Sequence, residues 1–290
     1  MVGRKAMGKG KCAAKIVTVL MLAGVAFGAG VVRKDLHFKV SKRPMISINN
    51  QYGPITVKAG APHQVLVTAI LHSDKVELDQ SKSGNRIGLV SHLLPGADAT
   101  SGMVEYEIQV PPGANLTLRS ASGPIRAERL RGDIAMEGAN AAMDVLDCAD
   151  GHVHVKTLNG TVTLTNVRNG HVEITSMGGD VLLNGVSGPF VQVDSNSGKI
   201  QYDGDFGAEG DYSFTSHTGN IEAVAPASAS IDVLARSTNG RVESDFSLEP
   251  KHAPFLLKSG SAFSGTLGKA ASSVKLFSFS GKIHLKKRQN

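Results

Sequence analysis

The chain has 290 residues, enough for one large domain or two small ones, so a buried core does not require disulfide or metal cross-links. Apolar residues make up 41% and charged residues 19%, a composition that excludes a disordered chain. Gly is abundant at 33 residues, Trp is absent and aromatic residues total 5%, which favours a turn-rich, repetitive fold.

The net charge of +6 arises at the two ends of the chain. Seven basic residues and no acidic residue precede Asp35, and four more basic residues follow Gly281, which leaves 20 basic against 25 acidic residues in the body. A nucleic-acid surface needs a concentrated positive stripe on the folded domain. The body has none, so no nucleic-acid partner is predicted.

Residues 1–34 have the pattern of a membrane-targeting segment. A basic start is followed by the uncharged run Ile16 to Val32, with small residues at Ala26 and Gly28. These features fit a signal peptide cleaved before Ala29, while the run is also just long enough for a retained membrane anchor. Both alternatives predict export, with the body in the periplasm, on the cell surface or anchored to the membrane outside the cytoplasm. Membrane contact is then expected only through an uncleaved N-terminal segment.

Residues 35–119 are predicted to form an antiparallel β region that caps the repeats following it. A turn at Val110-Pro111-Pro112-Gly113 is expected to end one strand and start the next, because Pro cannot donate to a strand ladder. Alternating apolar residues predict strands at Met45 to Asn49, Ile55 to Lys58, Gln64 to Leu71, Arg86 to Ser91, Met103 to Val110 and Asn115 to Arg119.

From residue 120 a short phrase recurs: Ser or Thr, two residues, Gly, any residue, then Val or Ile. The glycines of its copies are Gly123, Gly160, Gly179, Gly198, Gly219, Gly240 and Gly281. Their steps of 37, 19, 19, 21, 21 and 41 residues give a period close to 20 if each long step holds one degenerate copy. A second series lies halfway between, at Gly132, Gly151, Gly170, Gly188, Gly210 and Ser230.

Each period contains two short strands with alternating apolar residues, which predicts an all-β, parallel β-solenoid over residues 120–250 with coils of about 20 residues. An antiparallel sandwich is the alternative, but it gives no reason for alternate strands to resemble one another. Residues 251–290, with a last copy of the phrase before a basic tail, are expected to form the terminal coil that closes the stack. The predicted inward ladder is Ile125, Ile134, Val153, Val162, Val172, Val181, Ile200, Tyr212, Ile221, Ile231 and Val242.

The segment Met103 to Ile134, MVEYEIQVPPGANLTLRSASGPIRAERLRGDI, resembles an exported bacterial family of candidate adhesins with β-strand repeats and unknown function. The resemblance covers Ile46 to Leu285 and rests on the style of the repeat. It implies a solenoid and an envelope location, and it assigns no catalytic or binding residue.

Two residue groups are candidate sites for metal or thiol chemistry. His152 and His171 occupy the same position in successive copies of the second series, with Asp133 one coil earlier, so stacking would bring all three side chains to one outer face. A solvated polar ladder is the simpler interpretation, because no fourth metal ligand is identifiable. Cys148 has no His or Asn motif beside it and is expected to be a small buried residue, while Cys12 lies before the apolar run, where a lipid-bearing cysteine is not found.

The remaining motifs are weak. Asp203, Asp205, Glu209 and Asp211 could supply an acid and a base for glycan cleavage, but their segment fits a longer loop where the period stretches. Arg131-Gly132-Asp133 matches a cell-attachment tripeptide, although Gly132 is already required by the repeat.

The sequence therefore predicts an exported, non-enzymatic cell-envelope protein without a cofactor or catalytic site, either an adhesin or a surface-binding or scaffolding β-solenoid. Envelope polysaccharide and another surface protein are the two partner classes considered. A polysaccharide-acting hydrolase or lyase on a β-helix is the alternative function.

Overall fold

The computed structural model describes residues 30–250 and 261–289, and within them the chain is built from β-strands and turns. The predicted leader and Cys12 lie outside the described residues, apart from residues 30–34. No helix in the described ranges is long and apolar enough to cross a membrane. The strands are β1 (Val32–Lys39), β2 (Met45–Tyr52), β3 (Ile55–Ala59), β4 (Gln64–Leu71), β5 (Val76–Ser83), β6 (Arg86–Leu93), β7 (Val104–Val110), β8 (Asn115–Ser122), β9 (Ile125–Glu128), β10 (Ile134–Gly138), β11 (Met143–Leu146), β12 (His152–Thr157), β13 (Val162–Thr165), β14 (His171–Ser176), β15 (Val181–Asn184), β16 (Phe190–Ser195), β17 (Ile200–Asp203), β18 (Asp211–Ser216), β19 (Ile221–Ala225), β20 (Ile231–Ser237), β21 (Val242–Ser244), β22 (Glu249–Pro250), β23 (Ala262–Leu267), β24 (Ser272–Ser278) and β25 (Ile283–Lys287).

These strands form two long sheets that enclose one apolar core. Each coil contributes one strand to each sheet, and alternate side chains point inward because side chains alternate between the two faces of a strand. Sheet 1 has the order β1-β4-β7-β3-β9-β11-β13-β15-β17-β19-β25-β21 in the described residues. Sheet 2 has the order β22-β23-β20-β24-β18-β16-β14-β12-β10-β8-β2-β6-β5.

The register confirms the predicted parallel solenoid. Val162 pairs with Val181, Val181 with Ile200, and Ile200 with Ile221, so one apolar column runs up sheet 1. Every residue of the predicted inward ladder is buried except Val242, which is half-buried at the last strand of that sheet. Equivalent residues therefore stack on one another once per coil, as the 20-residue period predicts.

Besides the inward-facing residues of the two sheets, a further column of buried residues lies at the corner where sheet 1 leads back to sheet 2. Cys148 is buried in it, and Asp147 just before it adopts a left-handed conformation with φ of 54°. Asn166 repeats this conformation one coil later and donates to the Asp147 carboxylate at 2.9 Å. The buried residues that follow this corner in successive coils are Leu130, Cys148, Val167 and Val186. Cys148 is thus a small apolar residue of the core, as predicted.

The N-terminal part combines parallel and antiparallel pairing. Strands β2 and β3 continue the parallel stack, since β2 pairs with β8 and β3 with β9. The antiparallel pairs β1·β4, β4·β7 and β5·β6 cover the end of the solenoid. β1 starts at Val32, before the predicted start of the body, and β1 and β5 are strands that the sequence patterns did not indicate.

The turn at Val110-Pro111-Pro112-Gly113 ends β7 and precedes β8, as predicted, but these two strands do not pair with each other. The strands on either side, β7 and β8, lie in different sheets. The Pro-rich turn redirects the chain across the corner of the solenoid, where the missing Pro N–H groups leave no gap in either ladder.

The two long steps of the repeat have different origins. The step from Gly123 to Gly160 holds a degenerate copy with Ala141 in the Gly position, since a Cβ on Gly160 would lie 1.7 Å from the Ala141 carbonyl oxygen. In the described part of the step from Gly240 to Gly281, the chain returns to an earlier position in the stack. Gly281 stacks directly on Gly219, and Gly240 stacks on Gly281.

The C-terminal coil of β24 and β25 is therefore not the terminal coil of the stack. It lies inside the solenoid, with β24 between β18 and β20 and β25 between β19 and β21. The expectation that it closes the end is wrong, because parallel pairing requires only a matching strand on each side and does not require sequence order.

Candidate functional site

A continuous groove follows the corner at which the strands of sheet 2 turn into those of sheet 1. It consists of two adjoining cavities of about 540 Å³ and 650 Å³ that share Thr175 and Met177. We call it the corner groove. Its lining residues are Asn49, Gln51, Arg119–Ala121, Glu137–Ala139, Lys156–Leu158, Thr175–Met177, Asp194–Asn196, Thr215–His217, Phe277–Phe279, Arg236 and Thr238.

Beneath the groove, on the core side, lies a ladder of buried residues, most of them with hydroxyl groups, at the first position of each phrase. Ser216 and Ser278 each accept a hydrogen bond from the N–H of the Gly three residues later, at 2.8 Å. Ser176 instead donates to its Gly carbonyl, also at 2.8 Å. In these copies the hydroxyl thus closes the tight turn of its own coil, which explains the Ser or Thr of the phrase. The stacking order is Asn50, Ser120, Gly138, Thr157, Ser176, Ser195, Ser216, Ser278 and Ser237.

The Ser120 hydroxyl is the buried side-chain oxygen or nitrogen that has no hydrogen-bond partner in the described part of the chain. Neither of its neighbours on the ladder supplies a partner. The Asn50 amide N–H group donates to the carbonyls of Gly53 and Val104, and Gly138 has no side chain to offer.

The turn side of the groove exposes apolar and aromatic side chains. Leu158 is 53% exposed, Met177 is 51% exposed and Phe279 is 47% exposed. The rings of His217 and Phe279 stack across neighbouring coils, with centroids 4.9 Å apart and planes 8° apart. Large apolar side chains placed this way in a groove are available to a ligand.

The strand side of the groove is polar and carries both signs of charge. The Arg119 Nε donates to Glu137 Oε2 at 2.7 Å, and this hydrogen bond lowers the pKa of the Glu137 carboxyl. The Gln192 amide donates to Asp194 at 2.6 Å. Because cations and anions alternate along this side, the groove presents no concentrated field of one sign.

The predicted histidine column exists on the outer face of sheet 2. His152 pairs with His171 in register, their ring centroids lie 4.9 Å apart, and His171 in turn lies 4.5 Å from the ring of Phe190. The Asp133 carboxylate accepts from the backbone N–H of His152, and Glu173 accepts from His171 at 3.2 Å. In the ranges described, no three His, Cys, Asp or Glu side chains are placed to hold a metal ion.

Of the four acidic residues considered for glycan cleavage, Asp203 and Asp211 lie in different sheets, and Asp205 and Glu209 lie in the loop between them. Asp203 ends β17 of sheet 1 and pairs with Arg288, while Asp211 begins β18 of sheet 2 and pairs with Lys275 at 3.2 Å. The Asp205 carboxylate accepts the backbone N–H of Gly207 inside the longer loop.

Two further motifs have structural roles. Burial raises the pKa of the Cys148 thiol, which donates to the Leu146 carbonyl at 3.4 Å. A reactive thiolate is therefore disfavoured at this position. Within Arg131-Gly132-Asp133, Gly132 packs against the Ala114 carbonyl, where an added Cβ would lie 2.0 Å from the oxygen.

A family model described as Toastrack DUF4097 matches residues 44–286. The chain belongs to this family. The match runs from the start of the parallel stack at β2 to the inserted coil at β25, so the Toastrack repeat and the solenoid coincide. No curated protein matches the chain.

Two crystal structures are similar to this Toastrack chain, each at 13% sequence identity. One is a candidate cell adhesion protein from Clostridium sporogenes ATCC 15579, with 89% of this chain and 100% of that chain covered and a TM-score of 0.31. The other is a candidate adhesin from Bacteroides fragilis NCTC 9343, with 91% of this chain and 100% of that chain covered and a TM-score of 0.49.

The sequence patterns did not indicate the corner groove. Its exposed side chains follow the first residue of the phrase by one position, so Leu158, Met177, His217 and Phe279 occupy one column. Reading that column across the aligned copies would have shown large apolar and aromatic residues at a turn position. A second missed signal is the phrase NQYGPI ending at Ile55, whose Gly53 stacks under Gly123.

Proposed function

We propose that this Toastrack chain is an exported, non-enzymatic binding protein whose corner groove holds an extended envelope polysaccharide. The observation that carries the proposal is the continuity of the groove over successive coils. Adjacent parallel strands lie about 4.8 Å apart, so the groove repeats its lining at that interval and suits a ligand that is itself a regular polymer.

The lining favours a sugar polymer over a strongly charged one. Sugars offer C–H faces to apolar side chains such as Met177 and Phe279, and they offer hydroxyl groups to residues such as Asn196 and Asp194. Pockets for organic ligands combine these two kinds of group. Mixed charges along the strand side, for example Arg119 beside Glu137, do not favour a polyanion.

Binding is tested with the purified body and a panel of soluble envelope polysaccharides, measured by isothermal titration. We expect M177A combined with F279A to weaken binding by about tenfold or more, since each removes an exposed apolar contact of about 1 kcal/mol. The control is L234A, because Leu234 is 43% exposed on the outer face of sheet 2, away from the groove lining. Equal binding by the two variants would refute the groove as the site.

The same panel separates the alternatives. Sustained cleavage of a glycan, abolished by D203N or D205N, would instead establish the hydrolase or lyase. Capture of an envelope protein that M177A/F279A no longer retains would assign the groove to a protein partner.

Export is tested on the full chain in a bacterial host by cell fractionation and N-terminal sequencing. We expect the protein outside the cytoplasm, either starting at Ala29 or retaining its leader in the membrane. Recovery of the full chain only from the cytosol would contradict export.

A further inference from the structure

The C-terminal coil, Ser272–Lys287, fills a slot between two coils that are neighbours in sequence. These flanking coils comprise β18–β19 on one side and β20–β21 on the other. The inserted coil pairs in parallel with both of them in both sheets.

The flanking coils have the spacing of direct neighbours. Gly219 and Gly240 are 21 residues apart, as are Gly198 and Gly219, which stack on each other. Yet Gly219 and Gly240 are separated by the inserted Gly281. The chain before the insert therefore forms two matching parallel edges that accept one further coil with the same phrase.

Charge complementarity connects the insert to its slot. From Ser272 to Arg288 the chain carries basic residues and no acidic ones. Lys275 pairs with Asp211 at 3.2 Å and Lys282 with Glu243 at 2.7 Å. The other pairs between the insert and acidic residues around the slot are Lys286 with Glu222, His284 with Asp245 and Arg288 with Asp203. The basic C-terminal end of the chain therefore forms ion pairs with acidic residues that lie far from it in sequence.

A short strained hinge joins the insert to the preceding strand. Residues 268–271 connect β23 to β24, and both Gly268 and Ala270 adopt left-handed conformations, with φ of 62° and 54°. A left-handed alanine costs about 1 kcal/mol relative to glycine. Short strained hinges favour exchange of an element between identical chains, because opening the hinge relieves the strain while the contacts are remade in trans.

We propose that the C-terminal coil is an exchangeable element, and that a second copy of this chain supplies it to the slot. The product is a reciprocal dimer in which each slot holds the coil of the other copy. The same parallel ladders and ion pairs form in cis and in trans, so the dimer needs no new interface.

The exchange is tested with two full-length variants that each carry one new cysteine, T218C and S280C, both with C12S. Ser280 lies beside Thr218 of the neighbouring coil, in the turns that follow β24 and β18, and its N–H donates to the His217 carbonyl at 3.0 Å. The variants are mixed at high concentration, warmed, cooled and oxidised. Exchange predicts a disulfide-linked dimer containing one copy of each variant. The double variant T218C/S280C is the control for crosslinking within one chain.

Native mass spectrometry of mixed isotope-labelled and unlabelled wild-type chains gives a readout that is independent of the cysteines. Mixed dimers would support the proposal, and A270G, which removes the left-handed alanine from both hinges, is expected to lower the dimerisation constant about 25-fold, about fivefold for each hinge. Monomers alone in this mixture, together with crosslinks only within the double variant, would overturn it.

Discussion

Replacing Ser216 by alanine should destabilise the solenoid by about 2 kcal/mol. The Ser216 hydroxyl is buried and accepts the Gly219 N–H at 2.8 Å. Alanine leaves that backbone N–H without its acceptor inside the turn, and an unsatisfied buried donor costs about 1–3 kcal/mol.

Ser120 provides a matched control at the same position of another coil. Its hydroxyl is equally buried but has no partner. S120A therefore removes a buried polar atom that makes no hydrogen bond. We expect its unfolding free energy to be unchanged or to rise by up to about 1 kcal/mol. The two substitutions delete the same atom from the same ladder, so their difference reports the hydrogen bond.

Guanidinium chloride unfolding followed by circular dichroism measures both variants, with tyrosine fluorescence as a second probe, since the chain has no Trp. The slope of unfolding free energy against denaturant should be unchanged in both, which would show that the same cooperative unit unfolds. Equal destabilisation by S120A and S216A, or a larger effect of S120A, would refute the role assigned to the ladder.

Three further outcomes follow from the packing. G179A should prevent folding or lower the unfolding free energy by more than about 3 kcal/mol, because its Cβ would lie 1.9 Å from a backbone carbonyl oxygen. G178A should have a mild effect, because the nearest contact of its Cβ is a side-chain oxygen at 3.0 Å. Soluble yield and melting temperature measure both variants. C148V should be tolerated, because valine already occupies this position in later coils. C148S should lower the unfolding free energy by about 1–3 kcal/mol, because its hydroxyl enters an apolar column, and denaturant unfolding measures both. Burial raises the pKa of Tyr106 to about 12, above its ordinary value of 10, so the neutral phenol is favoured in the folded state. The stability associated with Tyr106 is present below pH 10 and is lost as pH rises towards 12. Burial also raises the pKa of Tyr202 and Tyr212, so Y106F still loses stability at high pH, but about 2–3 kcal/mol less than the wild type when unfolding is followed at each pH.

The sequence was sufficient for the repeating part of the fold because each coil meets the same physical demands. Val162, Val181 and Ile200 recur at a fixed spacing since each fills the same space above its predecessor. A glycine recurs where a side chain would strike the carbonyl of the previous coil, as at Gly179.

The spatial order of the coils could not be predicted from the repeat. A phrase such as SFSGKI fits any neighbour with the same phrase, so spacing along the chain does not say which two coils Gly281 will lie between. The answer depends on contacts distant in sequence, including the pairing of Lys282 with Glu243.

The corner groove is not evident in the sequence for a related reason. The side chains that line it are mostly uncharged, so no cluster of acidic or histidine residues marks it. Met177 and Phe279 are unremarkable as single residues, and they become a surface only when the coils stack.

The interleaved coil also sets the order in which the solenoid can assemble. Residues 231–244 precede β24 and β25 in the chain, yet their parallel neighbours are those two strands. That region therefore reaches its final arrangement only after the chain has emerged as far as Lys287 into the compartment where it folds, whereas the coils before it can join the growing stack one by one.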